Sequence, residues 1–100
     1  MSKKYRDENT DMLMKAVMSA DSIEECYDFF RDLCTDSEIK AMSERFQVAR
    51  MLRESRVFSD IVREANVGAT TISRVNNSLI NGTGGYDRAI DRTGGGELCE

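Results

Sequence analysis

The 100-residue sequence contains no proline, and the first of its seven glycines is Gly68. A chain free of these breakers over most of its length can run in long uninterrupted helices, and its apolar spacing is helical throughout. Met12, Leu13, Ala16, Val17 and Ala20 form a first stripe, which Asp21 and Ser22 interrupt. Ile23, Cys26, Tyr27, Phe30, Leu33 and Cys34 form a second. Ile39, Met42, Phe46, Ala49 and Leu52 form a third, widened by Val48 and Met51 and running to about Glu54. That third face is wider than one neighbouring helix would cover. Ser22 with Glu25, or Asp21 with Glu24, has capping-box spacing, and Thr35 with Glu38 is a clearer box at the head of the third helix. No segment has the period of a strand, so the expected class is all-α.

Residues 61–74 have the layout of a helix-turn-helix. Ile61 and Ala65 share one face of a short first helix, with Ser59 as its expected N-cap. Asn66 stands where the chain must turn sharply, and asparagine tolerates the left-handed conformation better than most residues. Val67 would plug the angle between the helices, and Gly68 would cap the second. Ile72, Val75 and Leu79 are the buried stripe of that second helix. Ala69, Thr70, Ser73, Arg74 and Asn77 are left facing outward. Arg74 is the one charged residue between Ala65 and Gly82. An ordinary solvated helix carries many more Glu and Lys, whereas a helix that enters a major groove and reaches base edges needs a small, polar surface of this kind. The bland alternative is a helical pair packed for structural reasons alone.

The net charge of −4 argues superficially against nucleic acid. Its distribution softens the objection. Residues 39–82 hold seven basic and four acidic side chains, a net +3, which leaves −7 elsewhere. Weak non-specific affinity favours a specific binder over an architectural one. Cys26, Cys34 and Cys99 have no paired spacing, and there is no histidine, so a zinc site is not expected. Cys26 and Cys34 fall on an apolar face and are expected to be buried, while Cys99 is expected to be an exposed thiol in a tail. No apolar run is long enough to span a bilayer. The polar N-terminal residues lack a signal-peptide core, giving an expectation of a cytoplasmic protein. No nucleophile–base pair or phosphate loop suggests an enzyme. Glu24, Glu25, Asp36 and Glu38 are better explained as acids complementing helix N-termini.

Several stretches together resemble the Trp repressor family, in its Trp repressor-like YerC/YecD branch. They are residues 24–27 (Glu-Glu-Cys-Tyr), 30–35 (Phe-Arg-Asp-Leu-Cys-Thr), Arg45, 48–54 (Val-Ala-Arg-Met-Leu-Arg-Glu) and 69–76 (Ala-Thr-Thr-Ile-Ser-Arg-Val-Asn). Ile72-Ser73-Arg74 followed by Asn77-Ser78-Leu79 also resembles the Trp repressor proper. The resemblance implies a six-helix protomer, a dimer intertwined through its N-terminal helices, and operator binding as a transcriptional regulator, in the sense of a repressor. In the family, two arginines sandwich the indole of the corepressor. Arg74 matches one of them, and the other falls on Glu44 or Arg45. The family has glycine after the helix arginine where this chain has Val75, whose side chain could fill the space an indole needs. L-tryptophan is therefore not expected to serve as corepressor.

These observations give a flexible arm over residues 1–10, a helix-turn-helix domain over 11–92 and a disordered tail over 93–100. Residues 81–85 form a loop, and 86–92 one or two turns of helix. The expected DNA-contacting set is Gly68, Ala69, Thr70, Thr71, Ser73, Arg74 and Asn77 in the motif, Ser59 before it, and Arg53, Arg56 and Arg63 for phosphates. Arg45 and Arg74 are the candidate ligand residues. The functional alternative is a helical protein-interaction module using the same fold without DNA.

Overall fold

The computed structural model describes residues 6–94. Six α-helices and no strand occur among them: α1 Glu8–Met18, α2 Ile23–Leu33, α3 Asp36–Arg53, α4 Phe58–Ala65, α5 Ala69–Asn81 and α6 Gly85–Arg92. The chain divides into two compact units, Met1–Ile39 and Lys40–Glu100. Cys99, with residues 1–5 of the proposed arm and 95–100 of the proposed tail, lies outside the described residues. The helical part of the proposed arm is a difference: α1 starts at Glu8, because Asp7 caps it by accepting from the Thr10 amide and hydroxyl, both at 2.8 Å. These bonds, the amide's foremost, hold the Asp7 carboxyl below its ordinary pKa.

In the first unit, each helix start is written in side-chain oxygen. Ser22 Oγ accepts from the Glu25 amide at 3.1 Å, and Glu25 reaches back to the Asp21 amide at 2.9 Å. Thr35 Oγ1 accepts from the Glu38 amide at 3.1 Å, and the Glu38 carboxylate accepts from the Thr35 amide at 2.8 Å, a reciprocal capping box. The stripes are helical as expected, yet α1 and α2 contain no buried residue. Met12, Met14, Met18, Ile23, Tyr27 and Leu33 are exposed, Ile23 by 69% and Tyr27 by 62%. Cys26 is exposed and Cys34 half-buried, against the expectation of burial. Helical periodicity says which residues share a face; it does not supply the surface that covers it.

The core belongs to the second unit. Val48, Ala49 and Met51 of α3 pack with Ile61 and Ala65 of α4, Val67 of the turn, Ile72 and Val75 of α5, and Ile90 of α6. Phe46, Leu52, Leu79 and Tyr86 lie against this cluster. Burying side chains the size of Ile61, Ile72 and Ile90 stabilises by roughly 1.5–3 kcal/mol each. The α3 C-terminus is a Schellman turn: the Arg56 amide donates to the Met51 carbonyl at 3.1 Å and the Ser55 amide to Leu52 at 2.9 Å, with Ser55 at φ 62°. Gly82 ends α5, where a Cβ would stand 2.3 Å from the Ser78 carbonyl oxygen. Arg53 ties α3 to α6 through Asp87 at 2.9 Å and Asp91 at 2.8 Å, and Phe46 stacks on Tyr86.

Candidate nucleic-acid interface

The helix-turn-helix is built from α4, the Asn66–Val67–Gly68 turn and α5. Asn66 adopts the left-handed conformation, φ 58° and ψ 45°, and its amide donates to the Val62 carbonyl at 3.1 Å. The turn thus closes α4 and redirects the chain without a glycine at the strained position. Val67 is buried in the angle, and Gly68 caps α5 from an extended conformation. Gly68 makes no side-chain cap, and a Cβ there would meet nothing within 4 Å. Fold sterics therefore do not demand glycine at this position.

One expectation about α4 is corrected. Ser59 is not its N-cap. The helix begins at Phe58 with Val57 as cap, and the Val57 carbonyl accepts from the Ile61 amide at 3.1 Å. The Val57 carbonyl takes the first intrahelical bond, so the helical ladder is already closed before Ser59 and its hydroxyl has no helix end to cap. Ser59 is exposed inside the first turn.

Core packing decides which way α5 faces. Ile72 and Val75 are 0% and 1% exposed, and Leu79 is half-buried. Ala69, Thr70, Ser73, Arg74 and Asn77 are consequently exposed, whereas Thr71 is half-buried. The outward face is uncharged apart from Arg74. Asn77 Oδ1 accepts from Asn81 Nδ2 at 2.8 Å, one turn further on.

The arginines assigned to phosphates are mostly engaged. Arg53 is held between Asp87 and Asp91, and the hydrogen bond it donates to Asp91 is the largest of the effects raising its already high pKa. Arg56 pairs with Glu64 and lies 3.7 Å from Glu54; the Glu64 bond raises its pKa. Arg63 pairs with Asp60 at 2.7 Å but is the most open of the three, 67% exposed. None of these pairings shows in the apolar pattern, and the Arg53 partners lie 34 and 38 residues away in sequence.

Arg74 and Arg45 meet at a pocket of about 120 Å³ lined by Ala41, Glu44 and Arg45 of α3 and by Thr71 and Arg74 of α5. Both Glu44 and Arg45 line it, so the pocket contains an acid and two arginines. Glu44 pairs with Lys40, one turn back on α3. Arg45 and Arg74 form no ion pair among the described residues. Val75 does not line the pocket; its side chain is in the core. Ala41 and Thr71 also line this pocket, which the sequence pattern did not indicate. The i, i+4 spacing of Asn77 and Asn81 was the available signal for the amide pair.

Six helices, with a buried turn valine and a polar, nearly uncharged second helix, define the helix-turn-helix class of all-α proteins. The family model described as the Trp repressor protein matches residues 8–94, and the chain belongs to this family. It is 43% identical over 89 residues to the uncharacterized protein YerC of Bacillus subtilis, covering 89% of this chain and 86% of that protein. The solved structure of a TrpR-like protein from Eubacterium eligens superposes with a TM-score of 0.89 at 42% identity, covering 99% of this chain and 100% of that one. A second solved structure, from Staphylococcus aureus, gives 0.88 at 40% identity over 92% and 93% of the two chains. The fold is the all-α, Trp repressor-like one.

Proposed function

We propose that this chain is a sequence-specific DNA-binding transcriptional regulator, a repressor that reads the major groove with α5. The observation that carries this reading is the outward face of α5. Ala69, Thr70, Ser73 and Asn77 are exposed, small or polar, and uncharged, on a helix whose opposite face is locked by Ile72 and Val75. Such a face gains little from solvent exposure alone and suits base edges, with the Ala69 and Thr70 methyls matched to the thymine methyl. Membership of the Trp repressor family supports the same class of activity.

The working form in this proposal is a homodimer, because α1 and α2 bury nothing of their own and expose six large apolar side chains. A second copy is the partner that a symmetric operator calls for, with half-sites about 34 Å apart; Trp repressor is itself among the examples of that spacing rule, so the spacing is borrowed. Arg56 and Arg63 remain the phosphate candidates, and Arg63 is the readier because it is exposed and leaves only a local pair. Arg53 serves the α3–α6 junction first. L-tryptophan is not the corepressor in this reading. A pocket of about 120 Å³ with a carboxylate in its wall is smaller than the roughly 300 Å³ at which small-molecule sites begin.

The exposed Val57 cap and the exposed Phe58 and Val62 of α4 favour a second reading, a protein-interaction module. Selection from random duplex DNA followed by titration against salt separates the two. Operator binding weakens steeply as salt rises, and a module that docks apolar surface selects no sequence.

A further inference from the structure

The outer face of α5 carries a ridge of four exposed polar side chains, Thr70, Ser73, Asn77 and Asn81, at helical spacings of three and four. Within it, Asn81 Nδ2 donates to Asn77 Oδ1 at 2.8 Å. A carboxamide presents an acceptor on one side and two donors on the other. With its oxygen engaged by Asn81, Asn77 turns its N–H donors away, and among the described residues they have no protein partner. A group fixed in that way is complementary to an oxygen acceptor outside the protein.

Position along the helix indicates which acceptor. Asn77 stands eight residues after Ala69, about 12 Å along the axis, which is about the width of the major groove. A helix entering the groove by its N-terminal end therefore brings Ala69 and Thr70 to the bases and Asn77 to the flanking backbone. The one cation of α5, Arg74, lines the pocket shared with α3, so a phosphate contact from the outer ridge falls to a neutral donor. Resting on the DNA-binding reading above, we propose that Asn77 donates to a DNA phosphate oxygen and that Asn81 is the positioning residue that holds its amide with the donors outward.

The test uses the full chain and a duplex that it selects from random sequence. Dissociation constants across a salt series, and melting temperatures, are measured for Asn77→Ala, Asn81→Ala, the double variant and Asn81→Gln. The expected loss for Asn77→Ala is roughly tenfold, with the slope of log Kd against log salt unchanged because no cation is removed. Asn81→Ala loses part of that, the double variant binds no more weakly than Asn77→Ala, and Asn81→Gln, whose longer amide still reaches back one turn, recovers wild-type affinity. A methylphosphonate in the flank removes the wild type's advantage over Asn77→Ala. Full affinity in Asn81→Ala, or losses that multiply in the double variant, overturn the positioning role. A wild type that selects no sequence overturns the DNA-binding reading instead, and the phosphate contact with it.

Discussion

Ser55 and Asn66 are the two non-glycine residues with positive φ among those described, at 62° and 58°. They differ in how well the residue suits the conformation. Asparagine is tolerated there, and serine has no such advantage, so the Schellman turn after α3 carries a local cost. Ser55→Gly should raise unfolding stability by about 0.5–1 kcal/mol in urea titration; unchanged or lower stability would show that the serine side chain contributes what the backbone loses. Thr70 is the complementary case, exposed and without a packing role. Thr70→Glu should keep the wild-type melting temperature and abolish binding to a selected duplex, since it sets a negative charge against the groove; normal binding would mean that α5 is presented the other way. Ile72, fully buried, shows the opposite balance. Ile72→Ala should cost roughly 2–5 kcal/mol in the same urea titration, and a loss under 1 kcal/mol would mean the core closes around the gap.

The starts of α2 and α3 were readable because they are written in local chemistry, whereas the Asp7 cap of α1 was passed over. Thr35 and Glu38 form the reciprocal box that their spacing announces, and Thr35→Ala should destabilise by about 1 kcal/mol in the same denaturant series. The Asp7 cap adds a pH term: its depressed pKa means the contribution is present above the ordinary carboxylate value and lost as pH falls through the folded one. The stripe of α5 and the left-handed Asn66 were equally legible, since i, i+3, i+4 spacing and turn chemistry act over a few residues. The start of α4 was not, because the helix closes its first backbone bond on the Val57 carbonyl, two residues before the Ser59 hydroxyl could cap it. Nor were the clamps of Arg53, whose acids sit on α6, or the shared position of Glu44 and Arg45 on one pocket wall. Those depend on how α3 lies against α5 and α6, and no local pattern encodes it. The pocket between α3 and α5 yields a third kind of prediction. Calorimetric titration with L-tryptophan should give no binding at tens of micromolar, a range equivalent to roughly −6 kcal/mol. Binding in that range would make Arg45 and Arg74 ligand residues and Glu44 a partner for the ammonium.

At the scale of the whole molecule, charge and hydrophobicity are unevenly placed. The core lies in the second unit, whereas α1 and α2 carry apolar stripes with nothing buried in them. A homodimer covering those stripes should sediment as such at micromolar concentration, and a clean monomer would remove the basis for paired half-sites. The net charge of −4 leaves little general attraction to DNA, so affinity has to come from a specific fit of α5 and from the few cations near it. The most direct measurement is selection of the wild-type chain on random duplex DNA, followed by titration of the selected duplex and a scrambled one across a salt series. The expected result is an enriched, two-fold symmetric sequence bound far more tightly than the scrambled duplex, with affinity falling as salt rises. No enrichment, or equal affinity for both duplexes, would contradict it.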